Sequence, residues 1–133
     1  ALARFIAPLR AAGCRVSIFI AADRRQIEAA HRIGAPVIEL HTGAYCEAEI
    51  AGNEVARGAE LARLTEMAAV AQRLGLEVHA GHGLTYDSVG PIAAIPRLME
   101  LNIGHFLIGE AIFVGLEASI RRMRAEMDAA RAG

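Results

Sequence analysis

One pattern constrains this chain more than any other, and it recurs four times. A helix ends at a turn or a glycine, and a short apolar strand follows. The pattern runs from Gly13 to Val16, Gly34 to Val37, Gly75 to Val78 and Leu101 to Ile103. Strands separated by helices of this length predict right-handed βαβ crossovers and a parallel sheet. The strands are mostly apolar, as expected of strands covered on both faces. Four such units amount to half of an eight-unit (β/α)8 TIM barrel. A small open doubly wound sheet is the alternative, although the fingerprint G-x-G-x-x-G is absent. The 133 residues, 54% of them hydrophobic, suffice for a single segment with a real core and argue against disorder.

Periodicity divides the chain further. Residues 3–12 read as a helix with Phe5, Ile6, Leu9 and Ala12 on one face. Val16 to Ile20 reads as a strand. Asp23 caps a helix with Ile27 and Ala30 inward. Pro36 to His41 is the second strand, and its alternation separates Glu39 and His41 from Ile38 and Leu40. Residues 42–52 read as a loop. From Asn53 or Glu54, a long helix carries Leu61, Leu64, Ala68, Ala71 and Leu74 on one stripe. Leu76 to Ala80 is the third strand. A short helix from about Val89 to Ala94 follows, with a second helical piece from Arg97 to Leu101. Ile103 to Ile108 reads as the fourth strand, and Gly109–Glu110 as the start of a turn or helix. The last helix begins near Leu116, with Ile120, Met123 and Met127 inward.

Several function classes are excluded by what the chain lacks. The formal net charge is −1 and the basic residues are scattered, so no nucleic-acid or polybasic membrane surface is indicated. The longest apolar region, Ile103 to Leu116, is interrupted by His105 and Glu110 and is too short to span a bilayer. No signal-peptide pattern is legible, and the chain opens on Ala1. Cys14 and Cys46 have no metal-ligand spacing and read as reduced thiols of a cytoplasmic protein. All 14 basic residues are arginine. Without lysine, this segment can form neither a Schiff base nor a P-loop.

In a parallel α/β fold, functional groups gather where strands end and helices begin. Four features fall at such ends: Glu39 with His41, His82 between Gly81 and Gly83, Gly104 with His105, and Gly109–Glu110. His82 can exchange a proton near neutral pH. The flanking glycines permit positive φ angles and a close ligand approach. Gly83 and Gly104 suit phosphate held by backbone N–H groups, with a histidine as additional donor. The alternative for Gly104 is tight helix–strand packing. Glu39, costly to bury alone, would stabilise a cation, position a hydroxyl or pair with an arginine. His41, His79, His82 and Glu39 could be combined into a metal site, but His79 and His82 straddle a strand end, so no metal is expected. His31 reads as a surface residue near a helix C-terminus.

Four stretches together resemble the pyridoxine 5′-phosphate synthase family. They are Val37-Ile38-Glu39-Leu40-His41-Thr42-Gly43, Ala80-Gly81-His82-Gly83-Leu84-Thr85-Tyr86, Ile92-Ala93-Ala94-Ile95-Pro96 and Leu101-Asn102-Ile103-Gly104-His105. Their order and spacing match, and the resemblance covers essentially the whole chain. It implies a cytoplasmic (β/α)8 barrel enzyme that forms homo-octamers and uses no metal or organic cofactor. The implied reaction condenses 3-amino-2-oxopropyl phosphate with 1-deoxy-D-xylulose 5-phosphate, giving pyridoxine 5′-phosphate, phosphate and water. By position, His82 matches the family's proton donor and Glu39 its transition-state-stabilising carboxylate. Gly83, Gly104 and His105 match residues that bind the amino-ketone phosphate.

The chain also departs from the family pattern. His79 stands where asparagine is usual and Glu110 where arginine is frequent, and the loop after the Glu39 strand is longer. The resemblance places these residues in the last four βα units. A first half, in the same polypeptide or on a second chain, would supply the other general bases and most contacts to deoxyxylulose phosphate. Alone, this segment is expected to be inactive. The rival readings are another phosphate-handling barrel isomerase or aldolase, and a non-catalytic phosphate-binding half barrel.

Overall fold

The computed structural model describes residues 1–132 of the chain. Helix α1 (Leu2–Ala11) leads to strand β1 (Ser17–Ile20). The Asp23 side chain then accepts from the Gln26 N–H at 3.1 Å and starts α2 (Arg24–Arg32). Strand β2 (Val37–His41) is followed by α3 (Gly43–Ile50). Asn53 caps α4 (Glu54–Arg73) by accepting from the Ala56 N–H at 3.0 Å. Strand β3 (Glu77–Gly81) runs into α5 (Tyr86–Ala93), which opens on a capping box between Thr85 and Ser88. Strand β4 (Leu98–Asn102), α6 (His105–Val114) and α7 (Leu116–Ala132) complete the described residues.

All four strands are parallel and lie in the order β1-β2-β3-β4. A doubly wound sheet reverses its order at a switch point; this one does not. The fold is α/β, and its wall has the arrangement of half a (β/α)8 barrel.

Alternation along the strands gives the wall two different faces. Ile38, Leu40, Val78 and Ala80 pack against Ile27, Leu64, Ala68, Ala71 and Ile92 in the main core. Each fully buried Ile or Leu contributes about 1.5–3 kcal/mol, which holds the helices to this face. The other face carries a register row of Phe19, Glu39, His79 and Glu100. One step towards the N-terminal strand ends, Glu77 receives a hydrogen bond from His79 Nε2 (2.8 Å) and an ion pair from Arg15. These two partners, His79 first, hold the Glu77 carboxyl below the usual carboxylate range. His79 is itself buried, level with Glu39 in the register, with its ring held between Glu77 and Glu100.

The structure corrects the sequence reading in several places. Residues 43–50 form a helix because Tyr45, Cys46 and Ala48 are buried there, with the Tyr45 hydroxyl donating to the Ser88 carbonyl. Residues 98–102 form strand β4 instead of a helical piece. That pairing occupies the edge of β3, so Ile103 to Ile108 cannot be the fourth strand; His105 onward is helix α6. Gly109 and Glu110 consequently lie within α6, not at a strand end. Of the four apolar positions expected inward on α1, only Ile6 is buried. On α7, Met123 is buried and Met127 packs beside it, whereas Ile120 is 49% exposed.

Candidate active site

Strand β3 ends at Gly81, and the chain turns through His82 and Gly83, whose φ angles are +85° and +84°. Glycine adopts this region freely. For a non-glycine residue such as His82 it costs about 1–3 kcal/mol, so the surroundings must hold it. Gly81 has a different task, because its φ is not positive. A Cβ there would lie 2.6 Å from both the Asn102 carbonyl oxygen and Glu39 Oε1. The missing side chain lets β4 and the Glu39 carboxylate approach the end of β3.

Strand β2 supplies the support for His82. Fully buried Thr42 places its hydroxyl 2.7 Å from the Gly81 carbonyl and 2.6 Å from the His82 carbonyl. The His41 ring stacks on the His82 ring, with centroids 4.6 Å apart, and Phe19 flanks both. The Gly43 N–H donates to His41 Nδ1 at 3.1 Å, which puts the proton of a neutral His41 on Nε2. Among the described residues, no three His, Cys, Asp or Glu side chains are grouped to hold a metal ion.

Glu39 is half-buried and accepts from Asn102 Nδ2 at 2.9 Å. Its partner is therefore an amide, not the arginine of the structural alternative. Loss of hydration pushes its carboxyl above the usual range, while the Asn102 hydrogen bond and the nearby His79 pull it back less strongly. Asn102 stands opposite Gly81 in the β3–β4 register, which aims its side chain at Glu39.

Just beyond β4, Gly104 caps α6 and His105 is its first residue. Among the described residues no side chain caps this helix, so its first N–H groups are available as donors. A Cβ at Gly104 would meet nothing within 4 Å. Tight packing therefore does not explain the glycine.

These ends enclose a cleft of about 590 Å³. Glu39, His82, Gly83, Gly104 and His105 all line it, joined by Phe19, Leu84, Asn102, Ile103 and Phe106. Gly109, Glu110, His31 and His79 do not. Thr42, Asn102 and Phe19 were not singled out from the sequence. Thr42 and Asn102 carry only a weak signal, their position at strand ends.

Fold and cleft together define a (β/α)-barrel protein whose candidate site lies at the C-terminal strand ends, the face where barrel enzymes carry their active sites. The chain matches the model of the family described as pyridoxal phosphate biosynthesis protein PdxJ over residues 1–129, and it belongs to that family. This is a family of enzymes of vitamin B6 synthesis. The pyridoxine 5′-phosphate synthase of Roseobacter denitrificans is 74% identical over 131 residues, which are 98% of this chain and 53% of that protein. The protein of the same name from Ruegeria pomeroyi is 72% identical over the same shares. That of Rhodospirillum rubrum is 63% identical over 99% of this chain and 52% of its own length. The chain thus spans about half the length of the curated relatives it matches.

Proposed function

We propose that this chain is the C-terminal half of a pyridoxine 5′-phosphate synthase barrel. The complete enzyme condenses 3-amino-2-oxopropyl phosphate with 1-deoxy-D-xylulose 5-phosphate and releases pyridoxine 5′-phosphate, phosphate and water. One observation carries the reading: five residues at or just past the C-terminal ends of the three consecutive strands β2, β3 and β4, Glu39, His82, Gly83, Gly104 and His105, line one cleft.

The roles follow from position. The α6 N-terminus, the bare amides of Gly83 and Gly104, and His105 bind the amino-ketone phosphate. His82, exposed on its turn, gives a proton as the second phosphate departs. Glu39 carries negative charge beside the cationic imine formed between the two substrates; that attraction strengthens where water is displaced. Because the imine joins substrate to substrate, the chemistry needs no lysine and no organic cofactor.

The remaining features fit an incomplete wall. Strands β1 and β4 are edges of the four-stranded sheet, and Phe19 on its inner face is 52% exposed. Helix α6 is apolar yet exposes Ile108, Ile112, Phe113 and Val114. A second half barrel, in the same polypeptide or a second chain, covers the edges, and assembly into homo-oligomers covers further apolar surface. Among the described residues, no helix is long and apolar enough to cross a membrane; we place the enzyme in the cytoplasm.

The test is His82→Ala in the complete enzyme. Loss of a general acid lowers turnover by about 10²–10⁴-fold. Affinity for the amino-ketone phosphate stays within a few-fold. Wild-type turnover in the variant would remove His82 from the mechanism.

A further inference from the structure

We propose that Thr42 is the positioning residue for His82, its single hydroxyl clamping both peptide groups that flank the histidine. The inference rests on the reading of His82 as proton donor. The carbonyl of Gly81 belongs to the peptide plane before the His82 Cα, and the carbonyl of His82 to the plane after it. Thr42 Oγ1 reaches both, at 2.7 and 2.6 Å. Rotations of those two planes are the φ and ψ of His82. Holding both planes therefore sets the direction of its Cα–Cβ bond and the place of its ring.

Such a clamp is needed because His82 sits at φ +85°. Released, it relaxes towards negative φ, and the ring swings away from the cleft. Two further donors share the load. The Thr42 N–H donates to the Gly81 carbonyl at 2.9 Å, and Cys46 Sγ lies 3.7 Å from the His82 carbonyl. The hydroxyl has one proton for two acceptors, so it divides its bond between them. Being fully buried, Thr42 has no water to substitute for either carbonyl.

A second observation removes the ordinary explanation for this threonine. Thr42 stands at the N-cap of α3, where a threonine hydroxyl usually accepts from the helix's own N–H groups. Here it makes no such bond. The side chain is directed across to β3 instead. The adjacent His41 grips the same target by stacking on its ring. The end of β2 thus holds His82 twice, by backbone and by ring.

The experiment uses the complete enzyme, with Thr42→Val, Thr42→Ser and Thr42→Ala each made in wild-type and His82→Ala backgrounds. Thr42→Val keeps the shape and removes the hydroxyl; Thr42→Ala serves if valine prevents folding. The expected loss in single-turnover rate is about 10–100-fold, the size associated with misplacing a catalytic group. KM for the amino-ketone phosphate stays within about threefold, and Thr42→Ser recovers most of the rate. In the His82→Ala background, removing the hydroxyl costs almost nothing more. Equal losses in both backgrounds overturn the proposal, as does a wild-type rate in Thr42→Val. A crystal structure of the hydroxyl-less variant separates this inference from the one beneath it. His82 still at positive φ overturns the clamp whatever the kinetics. Wild-type turnover in His82→Ala overturns the proton-donor reading instead, and leaves the clamp to be judged on that φ.

Discussion

Replacing Gly81 with alanine probes the point where three strands and the Glu39 carboxylate meet. The new Cβ would lie 2.6 Å from Glu39 Oε1 and 2.6 Å from the Asn102 carbonyl oxygen. The carboxylate can rotate away. The carbonyl belongs to the backbone of β4 and moves only if the strand moves. Overpacking of this kind costs about 1–3 kcal/mol. Alanine also narrows the unfolded ensemble, which offsets about 0.4–1 kcal/mol. Gly81 is not at positive φ, so no conformational strain is added. The net loss is therefore about 1–2 kcal/mol, since the clash outweighs the entropy gain. In a complete barrel of ordinary domain size, this lowers Tm by roughly 2–8 °C. Turnover falls as well, because displacing β4 separates Asn102 from Glu39. Thermal unfolding of the complete enzyme reads the first effect, with Gly104→Ala as the comparison. Gly104 has open space around its Cβ position and a φ of −109°, so its alanine variant should lose less than about 1 kcal/mol, an N-cap effect only. A Gly81→Ala Tm equal to wild type, or an equal loss in Gly104→Ala, would refute the close-approach reasoning.

Glu39→Gln should change the dependence of stability on pH. The folded chain keeps the Glu39 proton to higher pH than the unfolded chain, so this group favours folding below its ordinary value of 4.5 and opposes it as pH rises through the raised value. Glutamine removes that slope. The variant's Tm relative to wild type should therefore be higher at pH 7 than at pH 4, and an unchanged difference across that range contradicts the assignment. Gly104→Val should weaken the amino-ketone phosphate by about tenfold or more, because its side chain fills space in front of the α6 N–H groups. Calorimetric titration giving wild-type affinity would move the phosphate elsewhere.

The first three strands and the candidate-site residues at their ends were legible because their pattern is local. Val37 to His41 alternates cleanly, and Glu39 is conspicuous in an apolar strand. Glycines mark the turn at His82. The fourth unit was misread for a physical reason. Leu98 and Leu101 are three apart, a helical spacing, while Ile103 to Ile108 is a short, largely apolar run broken by His105. Such runs do not distinguish strand from helix; pairing does. Residues 98–102 won the edge of β3, which left His105 onward to form a helix. Gly104 and His105 nonetheless remained at the cleft, since strand end and helix start are the same place in a βα unit. Thr42 and Asn102 stayed hidden because their roles exist only across strands. Thr42 meets carbonyls 39 and 40 positions away, and Asn102 meets Glu39 at a separation of 63. Neither separation leaves a periodic trace.

The β3–β4 register contains an irregularity whose effect extends beyond local geometry. Val78 faces Leu98, but His79 faces Glu100, so Met99 is skipped and stands exposed. Counted without that skip, Leu101 would oppose Gly81, and Asn102 would lie one position past it. The hydrogen bond to Glu39 thus depends on the skip: with Met99 paired in register, Leu101 would bring an isobutyl group to the cleft where Asn102 brings an amide. Leu98, on one side of the skip, is buried in the main core, whereas the Met99 side chain is exposed. Substitutions at position 99 should therefore leave the Asn102–Glu39 hydrogen bond in place.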